Sequence, residues 1–243
     1  MTTAEIGALT AGYERAAMRA EAEFGPRSRA LYFVTFMTTL AAFDGYARDL
    51  FDHGLPSSAA GPLFHRLLQR LDALFTILSS GTAPASRLVG MARIAGSSTP
   101  VYRYDAEVYR REMPGVAEAI AADVVTLDGT GPPELPSGLY LYCLAPSGAL
   151  RVYARPLTAA EVLHGARAGE HTVKHPVLAE PDGLRVACAG ELYVAAAGGR
   201  VIGAIGTRAS GHYRPPAATA PALRASLQRV FRLPSERVFL VAE

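Results

Sequence analysis

The chain has 243 residues, a length typical of one large domain or two small ones. Half of the residues are apolar, 19% are charged and the formal net charge is only +2, which excludes a disordered, highly charged tail protein and leaves enough apolar surface for a core. Lys174 is the only lysine among the 24 cationic residues, and neither Asn nor Trp occurs, a bias that we attribute to a GC-rich coding sequence.

The first half of the chain carries helical patterns. Thr3 is the expected N-cap of a first helix that Gly25 and Pro26 end. The second helix is almost entirely apolar, the third has leucines at helical spacing, and Pro114 is expected to break the fourth. Helices are thus predicted over residues 3–24, 28–53, 62–79 and 105–125, with a loop over residues 80–100, all within a helical region of residues 1–126.

The pattern changes near Leu127, where the segment DGTGPPELPSG predicts a linker. Strand-like runs follow, joined in pairs by Pro-Ser-Gly and by Gly198-Gly199, as in tight hairpins. Strands are predicted over residues 139–145, 149–155, 184–197, 200–207 and 238–242, and an amphipathic helix over residues 221–231. The predicted fold class is therefore α+β: a helical N-terminal half, then a mainly antiparallel sheet with one C-terminal helix. The β-rich domain spans residues 137–243, either as a separate domain or integrated with the helical region.

Polar side chains of the second half concentrate around the two hairpins. Lys174 and His175 lie between them, Glu191 interrupts an apolar strand, and the second hairpin ends in Ser-Gly-His-Tyr-Arg-Pro, residues 210–215. Imidazole transfers protons near neutral pH, arginine holds phosphate or carboxylate at two points, and burial can make a glutamate a base. The candidate catalytic residues are His175, Glu191, His212 and Tyr213, and the candidate substrate-binding residues are Lys174, Ser210 and Arg214. No metal-ligand spacing occurs, so no metal is expected.

These residues, in the order Lys-His, Ala-Gly-Glu, a glycine turn and SGHYRP before a closing helix, resemble a recurrent domain. The pattern is similar to the C-terminal region of plant IQ-motif calmodulin-binding proteins, to related fungal proteins and to C-terminal modules of bacterial polymorphic toxins and effectors. The resemblance covers residues 137–233, and occurrence in toxins and effectors implies an enzyme rather than a passive domain. The matching positions are His175, Glu191, Ser210, His212, Tyr213 and Arg214.

The sequence departs from that pattern at two places. Pro176 and Val177 stand where the family has two serines after the histidine, so any role of those hydroxyls is lost. The amphipathic segment 64–75 has few cations and does not match an IQ motif, so calmodulin is not expected as a partner.

The principal hypothesis is a metal-independent transferase or hydrolase acting on a phosphate-bearing small molecule or nucleotide. It requires no cofactor, and NAD is a possible substrate in an ADP-ribosyl-transfer version. The alternatives are a toxin-type metal-independent ribonuclease, a pathway-specific biosynthetic enzyme, and a non-catalytic binding or scaffold domain in which SGHYRP is a structural lock. Burial distinguishes these classes: packed side chains satisfied by backbone groups favour the lock, whereas polar groups that converge on an open pocket favour the enzyme.

Charge and apolar runs predict partners and location. Cations and acids are balanced in both halves, so nucleic acid is not expected as a partner. The longest apolar run, residues 30–43, is too short for a membrane span, and the N-terminal segment lacks a basic leader region. We therefore expect a cytoplasmic protein without membrane contact, with Cys143 and Cys188 as buried free thiols, although a disulfide stays open.

Overall fold

The computed structural model describes residues 1–55, 59–80, 92–94, 100–131 and 134–242. The chain divides into two compact units, residues 1–83 with residues 241–243, and residues 84–240. The first unit is helical and the second contains the strands, a C-terminal helix and a last strand, so the predicted α+β class is confirmed. The predicted loop over residues 80–100 lies largely outside the described residues.

The helical unit consists of α1 (Thr3–Phe24), α2 (Arg29–His53) and α3 (Ala60–Ser80). Thr2, one residue before the predicted Thr3, caps α1: its hydroxyl accepts a hydrogen bond from the Glu5 amide at 3.3 Å, and the Glu5 carboxylate accepts one from the Thr2 amide at 2.7 Å. Helix α2 packs against both α1 and α3. Its buried threonines remain compatible with the core because the Thr35 and Thr39 hydroxyls donate to carbonyls four residues back.

The second unit is built on a six-stranded sheet. In chain order its strands are β3 (Val124–Leu127), β4 (Gly138–Leu144), β5 (Leu150–Tyr153), β9 (Cys188–Ala197), β10 (Arg200–Gly206) and β11 (Val238–Leu240). Across the sheet they lie in the order β11-β10-β9-β4-β5-β3. All neighbouring strands are antiparallel except β10 and β11, which pair in parallel.

Helices cover both faces of this sheet. Helix α8 (Ala220–Phe231) packs its predicted apolar side on one face, where it meets alternate residues of β4, β9 and β10. The opposite face is covered by α4 (Ala106–Glu112), α5 (Val116–Ile120) and α7 (His175–Leu178). The remaining elements are the small sheet β1 (Ala92–Ile94), β2 (Val101–Arg103) and β8 (Arg185–Val186), the hairpin β6 (Ala166–Ala168) and β7 (His171–Val173), and α6 (Ala159–His164).

The prediction for residues 105–125 is confirmed in one respect and wrong in another. The helical segment breaks at Pro114 as expected, so that α4 and α5 are separate short helices, but Val124 and Val125 belong to strand β3. Helices α4 and α5 bury Val108, Val116 and Ile120 against the sheet, and β3 pairs with β5, so this segment packs with the strands.

Candidate functional site

Tyr213 lies in the core of the β-rich unit, with its side chain fully buried. Its hydroxyl donates a hydrogen bond to the Leu184 carbonyl oxygen at 3.0 Å, and its ring lies 5.9 Å from the ring of Tyr104. Burial raises the pKa of this phenol well above its usual range, so it stays protonated and serves as a donor. The predicted catalytic tyrosine is therefore committed to a backbone partner.

Ser210 starts a closed turn that places Tyr213. The buried Ser210 hydroxyl accepts a hydrogen bond from the Tyr213 amide at 3.3 Å, and the Ser210 carbonyl accepts one from the Arg214 amide at 2.8 Å. The chain leaves the turn through Arg214, whose φ is 42°, a left-handed conformation uncommon for a residue with a side chain. The left-handed residue of this turn is thus Arg214 and not the neighbouring glycine, since Gly211 has no positive φ.

His175 is the first residue of α7 and is only 7% exposed. Its Nε2 lies 3.1 Å from the Gly190 carbonyl oxygen, and because a carbonyl only accepts, Nε2 carries the hydrogen. Burial lowers the pKa of this imidazole to about 4, and the positive charge of a protonated His212 acts in the same direction. His175 is consequently neutral at pH 7, with the tautomer fixed by Gly190.

Two further candidates, Lys174 and His212, lie beside His175. Lys174 is the N-cap residue of α7 and is half-buried, and among the described residues no carboxylate lies within 4 Å of its ammonium group. His212 is also half-buried, and its ring packs edge-on against that of Tyr104 with 5.8 Å between the ring centroids. Burial lowers the pKa of His212 to about 4, Lys174 contributes in the same direction, and Glu112 opposes them. The structure thus brings Lys174, His175 and His212 into one neighbourhood.

Glu191 lies on β9, half-buried, with its carboxylate hydrogen-bonded to the Thr207 hydroxyl. The same hydroxyl accepts hydrogen bonds from the Glu191 amide at 3.0 Å and the Ala209 amide at 3.2 Å. Burial raises the pKa of Glu191 to about 7, although the Thr207 hydrogen bond opposes the shift. A raised pKa of this kind is expected of a general base. The carboxylate, however, already accepts a hydrogen bond from the Thr207 hydroxyl of the same chain.

Gly190 allows the chain to cross over β9 after β10 ends. A Cβ atom at this position would lie 2.3 Å from the Thr207 carbonyl oxygen, which also accepts a hydrogen bond from the Tyr142 hydroxyl at 2.8 Å. Sequence reasoning missed Thr207 and Tyr142, and the available signal was the glycine inside an apolar strand, a mark of close backbone approach. We call the SGHYRP segment with His175, Gly190 and Thr207 the lock.

The two cysteines lie on opposite faces of the sheet. Cys143 packs with the face that holds Tyr213, and Cys188 packs with the face under α8. Both are free and buried, and burial raises the pKa of both thiols. The predicted free thiols are confirmed. The Cys143 thiol donates to the His175 carbonyl at 3.2 Å.

Neither a metal site, nor a membrane-spanning helix, nor a related protein adds to the functional assignment of the described residues. Within the described ranges, no three His, Cys, Asp or Glu side chains are grouped so that they could hold a metal ion. Of the helices in that part of the chain, none has the length and apolarity needed to cross a bilayer. No family model, curated protein or solved structure matches the chain.

Proposed function

We propose that the protein is a non-catalytic binding or scaffold domain whose β-rich unit is closed by the lock. The observation that carries this proposal is the complete burial of Tyr213, with its hydroxyl on the Leu184 carbonyl. A phenol in that position cannot reach a substrate, but it can hold the turn after β10 against the segment that follows α7. The likeness to toxin and effector modules is then a likeness of this closing device.

Other lock residues support the same interpretation. The Ser210 hydroxyl accepts from a backbone amide, His175 lies against the Gly190 carbonyl, and both side chains are buried. Buried polar groups satisfied by backbone partners stabilise a fold and specify one arrangement of it. Packed side chains satisfied by backbone groups are the properties expected of a lock.

Tyr213→Phe tests the proposal because it removes the buried hydroxyl and its hydrogen bond to the Leu184 carbonyl, which still accepts one from the Tyr104 amide at 3.0 Å. Since the carbonyl keeps one donor, we expect a loss of about 0.5–1.5 kcal/mol and a corresponding fall in the melting temperature. Tyr102→Phe is the matched control, since the Tyr102 hydroxyl has no hydrogen-bond partner among the residues that the structure describes. Equal melting temperatures for Tyr213→Phe and the wild type would contradict the lock.

The enzyme is the second candidate, and Glu191 is the observation that favours it. Its carboxylate is half-buried with a pKa raised by burial to about 7, and the Lys174 ammonium, which has no carboxylate partner in the described part of the chain, adds an anion-binding group in the same unit. The proposal is then a metal-independent transferase or hydrolase acting on a phosphate-bearing small molecule or nucleotide, with no cofactor.

A melting-shift screen over nucleotides, with NAD and an RNA oligomer included, separates the two candidates. The enzyme hypothesis predicts that one of these ligands raises the melting temperature of the wild type. It also predicts that His212→Ala removes this shift without changing the melting temperature of the free protein. The lock predicts instead that His212→Ala lowers the melting temperature of the free protein, whether or not one of these ligands binds.

We also propose a cytoplasmic location. Cys143 and Cys188 are both free, and unpaired thiols are typical of a reducing compartment.

A further inference from the structure

A cavity of about 180 Å³ lies in the helical unit, between α1 and α3. Both helices pack mainly against α2 and meet each other over few residues, which leaves this gap along their line of contact. Its lining residues are Tyr13 and Glu14 of α1 and Arg66, Leu67 and Arg70 of α3.

The floor of the cavity is apolar and fixed in place. Tyr13 is 7% exposed and Leu67 is 1% exposed. The Tyr13 hydroxyl lies 3.3 Å from the Thr35 hydroxyl, and the Arg70 guanidinium lies over the Tyr13 ring at 5.6 Å while it forms an ion pair with Glu21. The charge of Arg70 is thus compensated within the protein, and the floor is formed before any ligand arrives.

The rim of the cavity carries two charges of opposite sign, those of Arg66 and Glu14. Arg66 and Glu14 are both exposed, and within the described part of the chain neither has an ion-pair partner within 4 Å. An apolar floor between a free cation and a free anion is complementary to a molecule with a carboxylate, an ammonium group and an apolar body.

Size limits the ligand further. Pockets for drug-sized molecules measure about 300–1,000 Å³, so this cavity is too small for a nucleotide and accommodates on the order of ten non-hydrogen atoms. From charge complementarity and volume together we propose that the helical unit binds a free amino acid with an apolar side chain, the carboxylate at Arg66, the ammonium at Glu14 and the side chain over Tyr13 and Leu67. This inference does not depend on the function proposed for the lock.

Titration of the full chain with L-phenylalanine, followed by ligand-observed NMR or calorimetry, tests the site. Phenylacetate and phenethylamine serve as probes that carry only one of the two charges. We expect Arg66→Gln and Glu14→Gln each to weaken L-phenylalanine binding about five- to tenfold. Phenylacetate binding should fall only with Arg66→Gln, and phenethylamine binding only with Glu14→Gln.

Arg15→Gln is the matched control, because Arg15 is an exposed α1 arginine that does not line the cavity. All three substitutions are at exposed positions, and unchanged melting temperatures would confirm that the variants are folded. Absence of saturable L-phenylalanine binding to the wild type would overturn the proposal, and so would an equal loss of affinity in Arg15→Gln. Binding that both rim variants leave unchanged would place the ligand elsewhere and refute this site.

Discussion

At the scale of single residues, the sequence identified the polar members of the lock but not what they contact. Tyr213, Ser210 and His175 belong to the polar segments around the two hairpins, and the structure places all three in the core. Thr207 and Tyr142 look like ordinary strand residues, and only the crossing of the chain over Gly190 brings them into the network. Contacts across long sequence separations of this kind leave no local pattern to read.

The crossing makes Gly190 a sharp test position. A Cβ atom there would meet the Thr207 carbonyl oxygen at 2.3 Å and the Ala209 amide nitrogen at 3.0 Å, both backbone atoms that cannot rotate away. We therefore expect Gly190→Ala to lower the free energy of unfolding by about 2–4 kcal/mol through overpacking and displacement of the turn. Chemical denaturation monitored by circular dichroism measures this loss.

Gly7→Ala is the control for Gly190→Ala. Gly7 is exposed on α1, and no atom lies within 4 Å of a Cβ added there. Alanine is favoured over glycine in a helix by up to about 1 kcal/mol, so this variant should be as stable as the wild type or slightly more so. Equal stability of the two alanine variants would mean that the chain does not cross at Gly190.

At the scale of elements, the sequence predicts the features that depend on interactions within one short segment. The apolar spacing of α8 and the glycine turn between β9 and β10 are properties of short segments, and both were predicted. The helix predicted over residues 105–125 includes Val124 and Val125, the first two residues of strand β3. Pairing with β5 makes it a strand, and tertiary pairing of this kind overrides local propensity.

Helix α8 is also fastened to the turn between β4 and β5. Ser226 Oγ and Arg229 Nη2 both donate to the Gly148 carbonyl oxygen, each at 2.7 Å. Because either donor still serves this carbonyl when the other is removed, we expect Ser226→Ala and Arg229→Ala to cost about 0.5–1.5 kcal/mol each, and the double variant to lose more than their sum. A double-mutant cycle from denaturation curves gives this coupling energy.

Ser226→Ala combined with Arg200→Ala is the reference cycle. Arg200 is exposed at the start of β10, and among the described residues it makes no hydrogen bond to Gly148. The two effects should therefore add within about 0.3–0.5 kcal/mol. Similar coupling in both cycles would show that the shared carbonyl does not join Ser226 to Arg229.

At the scale of the whole molecule, the free energy of unfolding varies with pH because some groups change their pKa on folding. The pH-dependent part is the sum of the contributions of these groups. His175 and His212 have pKa values near 4 in the folded protein, below the usual 6.5, so each contributes stability that appears as pH rises from about 4 to 6.5. Glu191 has the opposite effect. Its folded pKa of about 7 lies above the usual 4.5, so its contribution is present below pH 4.5 and is lost as pH rises towards 7.

Glu191→Gln isolates that opposing contribution, because glutamine keeps the neutral shape of the protonated carboxyl at every pH. Relative to the wild type, the variant should gain about 1–3 kcal/mol in free energy of unfolding between pH 4.5 and pH 8, since one pKa unit corresponds to about 1.4 kcal/mol and Glu191 is only partly buried. Urea denaturation at several pH values measures the difference, with Glu170→Gln, at an exposed position, as a control that should stay level. If the difference in free energy of unfolding between Glu191→Gln and the wild type stayed flat or fell with pH, Glu191 would ionise freely in the folded protein. Its carboxylate would then not be a base of raised pKa.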